Sequence, residues 1–200
     1  MVKPVLLLQR KQLQPIKRFS KKSPRDSSRG LLHSFAPFID AQSRILILGT
    51  MPGPEALRRR EYYGFPGNHF WRILFKLFET PVSFEKAKYA DKIELLKREH
   101  IAIWDVIGSC RRVGASDSAI KNVEPNDIPG LLHKHPQLRA IFCNGQTSKK
   151  LFDKYFKSKI TLNSFVLPST SPAHASMSFQ AKFESWRDIR RFLAAERPWC

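Results

Sequence analysis

Four stretches of this sequence carry side chains that can do chemistry. YYGFPGNHFWRIL (62–74) holds Asn68 behind a turn of glycine and proline, and IAIWDVIG (101–108) holds Asp105. LRAIFCNG (138–145) ends on Asn144-Gly145, and LPSTSPAHA (167–175) offers Ser169, Thr170, Ser171 and His174. An amide is a poor base, but its carbonyl can orient a water and its NH2 can donate to a leaving group or a base edge. A carboxylate at a strand end can activate water, and hydroxyls in a proline-framed loop suit phosphate oxygens. Each has a plainer role too. Asn68 precedes an amphipathic run and suits a helix N-cap, Asn144-Gly145 suits a turn after a strand, and Asp105 suits a carboxylate that only holds neighbouring loop amides.

Such residues need a frame. RILILGT (44–50), IAIWDVIG, LRAIFCNG and SFVLPS (164–169) are aliphatic-rich runs that end in turn formers, the form of strands buried on both faces. Between them Trp71, Leu74, Phe75 and Phe78 fall at helical spacing, and Ser83 is expected to cap a helix running toward Glu99. After CNG, Leu151, Phe152, Tyr155 and Phe156 share a helix face, and a last helix is expected from near Ser178, burying Phe179, Phe183, Trp186 and Leu193. Strand alternating with helix predicts an α/β domain over residues 31–200, a doubly wound, mostly parallel four-stranded central sheet covered by helices.

In such sheets ligands bind beyond the carboxyl ends of the strands. Gly49-Thr50-Met51-Pro52-Gly53, Asp105 to Gly108, Asn144-Gly145 and residues 168–174 are therefore expected on one rim, where glycine lets backbone approach a ligand closely.

Composition limits the partners. The 200 residues carry 35 Lys or Arg against 17 acids, a net charge of +18, which favours a polyanion, nucleic acid before an anionic membrane. No apolar run approaches the roughly 18 residues of a membrane span. Three scattered cysteines, Cys110, Cys143 and Cys200, fit a reducing, intracellular setting (cytoplasm, nucleoid or nucleus) without a disulfide framework. Residues 1–30 hold nine Lys or Arg and one acid, Asp26, and are expected to be a basic, mostly disordered arm. Its reading stays open between a solvated extension, a contact with phosphate backbone and an organelle-targeting peptide. Arg58-Arg59-Arg60, Arg111-Arg112 and Lys149-Lys150 read as surface charges or as phosphate contacts near the rim.

GTMPG after a hydrophobic strand, YYGFPGNHFWRIL, IWDVIGSCRRVGASDSAIKNVEPNDI, FCNG and LPSTSPAHA occur in one order that resembles the hypoxanthine-DNA glycosylase family of the uracil-DNA glycosylase superfamily, from about Leu32 to the last helix. The resemblance implies an α/β/α sandwich that flips a damaged deoxynucleotide from DNA and hydrolyses its N-glycosidic bond with no metal or cofactor. It implies Asn68 as the catalytic amide, with Asp105 the rival as general base. Met51, Pro52 and Gly53 would line the base pocket, Tyr62, Tyr63 or Phe65 would stack on the base, and Asn144 would read its edge. Ser169, Thr170 and Ser171 would meet phosphate, and Ala173 and His174 would form a tip entering the vacated space. Apart from the resemblance, their charge and place near the rim make Lys149 and Arg111 expected DNA contacts.

Two departures stand out. The family is expected to have asparagine where this chain has His174, and the histidine of many uracil-specific relatives is replaced by Ser169. The expectation is a monomeric, monofunctional glycosylase acting on deaminated bases in double- or single-stranded DNA, hypoxanthine first. The alternative is a catalytically silent DNA-binding protein on the same scaffold.

Overall fold

The computed structural model describes residues 30–194. The expected arm over 1–30 lies, Gly30 apart, outside the described residues, as do residues 195–200. The central sheet is built from β2 (Ile45–Gly49), β3 (Ile101–Asp105), β6 (Ala140–Asn144) and β7 (Ser164–Leu167), in the order β3-β2-β6-β7 and parallel throughout. Every residue of β2, β3 and β6 is buried, which explains why their sequences are unbroken apolar runs rather than alternating ones.

Helices α1 (Pro54–Arg59), α2 (His69–Leu77) and α3 (Tyr89–Arg98) connect β2 to β3. The return to β6 runs through α4 (Ile128–Lys134), and α5 (Gln146–Phe156) leads to β7. Because β2 to β3 runs one way along the sheet and β3 to β6 the other, right-handed crossovers place these two sets of helices on opposite faces. After β7, α6 (Phe179–Trp186) and α7 (Arg190–Leu193) follow, and Trp186 meets Phe70 of α2 edge-on at 5.7 Å. The result is the predicted three-layer arrangement. Among the described residues, no helix is long and apolar enough to cross a membrane.

Two expectations need correction. The run 101–108 is not one strand: it breaks at Val106, just beyond the last β2–β3 pair, Gly49 with Asp105. The amides of Val106 and Ile107 bond instead to the carbonyls of Gly49 and Thr50. The chain then continues as β4 (Ile107–Arg111) in a separate antiparallel sheet with β1 (Leu31–His33) and β5 (Lys121–Pro125), neither of which the apolar patterning reveals. Nor does Ser83 cap a helix. Its carbonyl closes a turn with the Lys86 amide, and α3 starts only at Tyr89, where Asp91 accepts from the Lys88 amide at 2.8 Å.

α2 and α6 begin where local chemistry places them. Asn68 accepts from the Phe70 amide and Ser178 from the Ala181 amide, each an N-cap.

Candidate active site

β2 and its neighbour β6 lead to crossovers in opposite directions, so a crevice opens beyond their carboxyl ends. There the Gly49–Gly53 turn is held by its carbonyls. Gly49 O accepts from Val106 N and Ser148 Oγ, Thr50 O from Ile107 N, and Gly53 O from Leu57 N at the start of α1. Pro52 O accepts from Arg112 Nη2. The Met51 side chain is buried with Ile107 and Cys110, away from the main core. The turn is thus rigid, with Gly53 partly open at its end.

Arg112 was expected on the surface; it is 8% exposed, and its Nε and Nη1 have no hydrogen-bond partner among the described residues. A guanidinium reads as a surface group in sequence, so no local signal announces this role.

Asp105 lies at the end of β3, 4% exposed, and accepts a hydrogen bond from Ser34 Oγ at 2.7 Å. Its Oδ1 presses on Gly49 so closely that a Cβ there would sit 2.3 Å away. Burial pushes the carboxyl up to about 7, against the opposing help of the Ser34 hydroxyl, with Asp117 raising and Arg112 lowering it further. Among the described residues the carboxyl thus meets a hydroxyl and not the loop amides expected of a structural carboxylate, and it is largely shielded from water.

Beside it stands Tyr63, whose left-handed backbone (φ 53°) is costly for an aromatic residue. Its ring stacks on Phe70 at a centroid distance of 3.7 Å. Its buried hydroxyl, with no hydrogen-bond partner among the described residues, lies in the field of Asp105. Burial holds that phenol well above its ordinary value.

A chain of polar contacts then crosses the rim. Asn144 donates from Nδ2 to Thr170 Oγ1 at 2.9 Å, and Thr170 N donates back to Asn144 Oδ1 at 2.9 Å. The carbonyl of Thr170 accepts from His69 N at 3.0 Å, immediately next to Asn68. Thr170 is therefore corrected: it is fully buried, and its hydroxyl serves Asn144 rather than a phosphate. Asn144, 8% exposed, spends one N–H and one lone pair on Thr170 and keeps one N–H and one lone pair for any other partner.

Asn68 uses Oδ1 for its cap, at 3.0 Å from Phe70 N, and its NH2 has no protein partner among the described residues. It lines a cavity of about 370 Å³ with Pro66, Gly67, His69, Arg72, Phe84 and Glu85. His69, passed over in the sequence, is the neighbour that matters. Its ring meets Phe179 edge-on at 5.3 Å, and its Nδ1 is buried without a partner among the described residues. Burial, then the charges of Lys182 and Arg72, hold the imidazole below its usual pKa, so it is neutral near pH 7.

The remaining expected residues divide. In the Ser169–His174 loop, Ser169 Oγ accepts from Ser171 N and Ser171 Oγ from Ala173 N, both at 3.3 Å. These hydroxyls shape the loop and keep their own hydrogens to donate. Ala173 is exposed and His174 half-buried. Phe65, 46% exposed, folds back over Gly67 rather than into a pocket. Lys149 is engaged by Asp153, one helical turn along α5, at 2.5 and 2.6 Å. Arg111 is half-buried on β4, opposite Leu31 and Lys121.

The site so assembled offers a rigid glycine turn, two amides and a neutral imidazole. That is a set for orienting water and donating hydrogen bonds to a departing anion.

Comparison with known proteins agrees with this fold. The model of the uracil DNA glycosylase superfamily matches residues 36–193. A hypoxanthine DNA glycosylase of Methanosarcina acetivorans is 34% identical over 78% of this chain and 96% of its own length. One from Methanosarcina barkeri is 39% identical over 57% of this chain and 71% of its own. The solution NMR structure of a provisional uracil DNA glycosylase from Methanosarcina acetivorans superposes with a TM-score of 0.70 at 32% identity, covering 82% of this chain and 98% of that one.

Proposed function

Since the chain belongs to the uracil DNA glycosylase superfamily, and within it to the hypoxanthine DNA glycosylase family, we propose that this hydrolase of N-glycosidic bonds in DNA removes hypoxanthine by flipping the deoxynucleotide into the Asn68–Asn144 crevice. A stacked base hides its C1′ atom, so extrusion must precede chemistry, at a cost of a few kcal/mol. The tie from Asn144 through Thr170 and His69 to Asn68 carries this reading, because it fixes two amides on one rim at the switch point of the sheet.

Each residue then has a task. Tyr63, backed by Phe70, presents a ring for the flipped base, and the free N–H of Asn144 donates to the carbonyl edge of hypoxanthine. The NH2 of Asn68 donates to the leaving base or, with a rotated amide, its oxygen orients the water that attacks C1′. As the bond breaks, the sugar becomes cationic and the base anionic, so preorganised donors facing the base lower the barrier. Asp105 and Arg112 hold the Gly49–Gly53 turn in shape. Ser169 and Ser171 donate to the flanking phosphates while Ala173 and His174 enter the vacated stack.

The test is single-turnover base release from duplexes containing one deoxyinosine, deoxyuridine or deoxyxanthosine, with alkali to reveal abasic sites. Release from deoxyinosine fastest is expected. Binding without release on all three would make the chain a DNA-binding protein on this scaffold.

A further inference from the structure

Lys182 is 1% exposed, one of the largest fully buried side chains, yet it is a cation on α6. A buried charge without a counterion is costly, and an apolar side chain of the same volume would avoid that cost. No carboxylate pairs with it among the described residues; its partner is a carbonyl, His174 O, at 2.8 Å.

That carbonyl belongs to the tip of the Ser169–His174 loop. The base of the loop is locked through Thr170 to Asn144 and His69, but beyond Thr170, the Lys182 bond aside, its hydrogen bonds among the described residues are local. They are Ser171 N to Ser169 Oγ, Ala173 N to Ser171 Oγ, and His174 N to Ser171 O, at 3.1 to 3.3 Å. Pro172, Ala173, Ala175 and Ser176 are all exposed. The charge-assisted bond from Lys182 is what ties the far end of the loop to the body of the protein, and such bonds are about twice as strong as neutral ones.

We propose that Lys182 is the positioning residue of the loop tip, holding residues 172–174 in the shape that fills a duplex after a nucleotide has left it. The inference rests on the tip role assigned above. Its consequence is selective. A rigid tip matters where a paired stack must be opened and refilled, and matters little where the target base is already unpaired.

The experiment compares single-turnover release of hypoxanthine from deoxyinosine paired in a duplex and from deoxyinosine in an internal bubble of unpaired bases. The ratio of the two rates is independent of the folded fraction of a preparation, so a partly folded variant still reports. Lys182→Met is expected to lower the duplex rate by about 10- to 100-fold, the range a displaced positioning group costs, and to leave the bubble rate within about threefold. Lys182→Gln serves if the methionine variant does not fold. Pro172→Gly and His174→Ala probe the tip itself. If these shift the ratio and the Lys182 variants leave it unchanged, the role of Lys182 is overturned while the tip stands. If no variant shifts the ratio, the tip role fails and the inference with it.

Discussion

Thr170 closes both ends of the Asn144 amide, accepting from Nδ2 through its hydroxyl and donating to Oδ1 through its own backbone N–H, each at 2.9 Å. Thr170→Val keeps the backbone bond and volume but leaves a buried amide N–H without its acceptor. The expected loss is about 1–3 kcal/mol of stability, read by denaturant unfolding, with slower base release as Asn144 loses its orientation. Thr170→Ser, which retains the hydroxyl, should restore the rate. Equal rates for the valine and serine variants would show that the hydroxyl has no part in positioning.

Asn68 combines a cap and a free NH2, and the two can be separated. Asn68→Ser keeps an oxygen for the Phe70 amide and should stay within a few tenths of a kcal/mol of the parent, whereas Asn68→Ala should lose about 1 kcal/mol. Both lack the NH2, and both should lose base release by about 100-fold or more, the size expected for a preorganised donor. Thermal melts and single-turnover rates on the two variants decide it. Full activity in Asn68→Ser would assign the residue to helix capping alone.

Gly49 and Asp105 are coupled by contact. A Cβ at position 49 would lie 2.3 Å from Asp105 Oδ1 and 3.2 Å from Tyr63 Oη. Gly49→Ala should therefore destabilise by about 1–3 kcal/mol, as overpacking does. Asp105→Ser removes the opposing oxygen, so the double variant should be more stable than the sum of the single losses predicts. Strict additivity in an unfolding cycle would contradict the contact.

The proton on Asp105 gives a pH signature. Its carboxyl stands at about 7 in the folded chain against an ordinary 3.8, mainly through burial. Between those values the folded state keeps a proton that the unfolded state has released. Stability from this group is thus complete below the unfolded pKa and is lost as pH rises through the folded one, by up to about 1.4 kcal/mol per unit within the window. Asp105→Asn should flatten that slope, measured as the difference between parent and variant unfolding free energies from pH 5 to pH 8. Parallel curves would mean that Asp105 is ionised throughout.

Much of the frame is legible in the linear sequence because it is set by local or strongly patterned physics. β2, β3 and β6 are buried on both faces, and continuous runs such as Ile45–Gly49 announce that. Asn68 and Ser178 cap the helices that follow them, since capping depends only on the nearest amides. Alternation with helices makes the sheet parallel, and so points to one rim for Gly49, Asp105, Asn144 and the Ser169–His174 loop, whereas the strand order β3-β2-β6-β7 is set only by the tertiary structure.

Tertiary structure alone decided the rest. Leu31–His33 and Lys121–Pro125 become strands only because β4 leaves the parallel sheet to pair with them, and the run breaks at Val106 where the pairing of β2 with β3 ends. Thr170, Arg112 and Lys182 carry polar or charged side chains that sequence assigns to the surface. Each is buried because a partner distant in the chain, Asn144, Pro52 or, eight residues back across the loop, His174, supplies the acceptor that makes burial tolerable. Apolar pattern and capping are properties of neighbours along the chain. The pairing of buried polar groups is a property of neighbours in space, and that is where the working shape of this site is set.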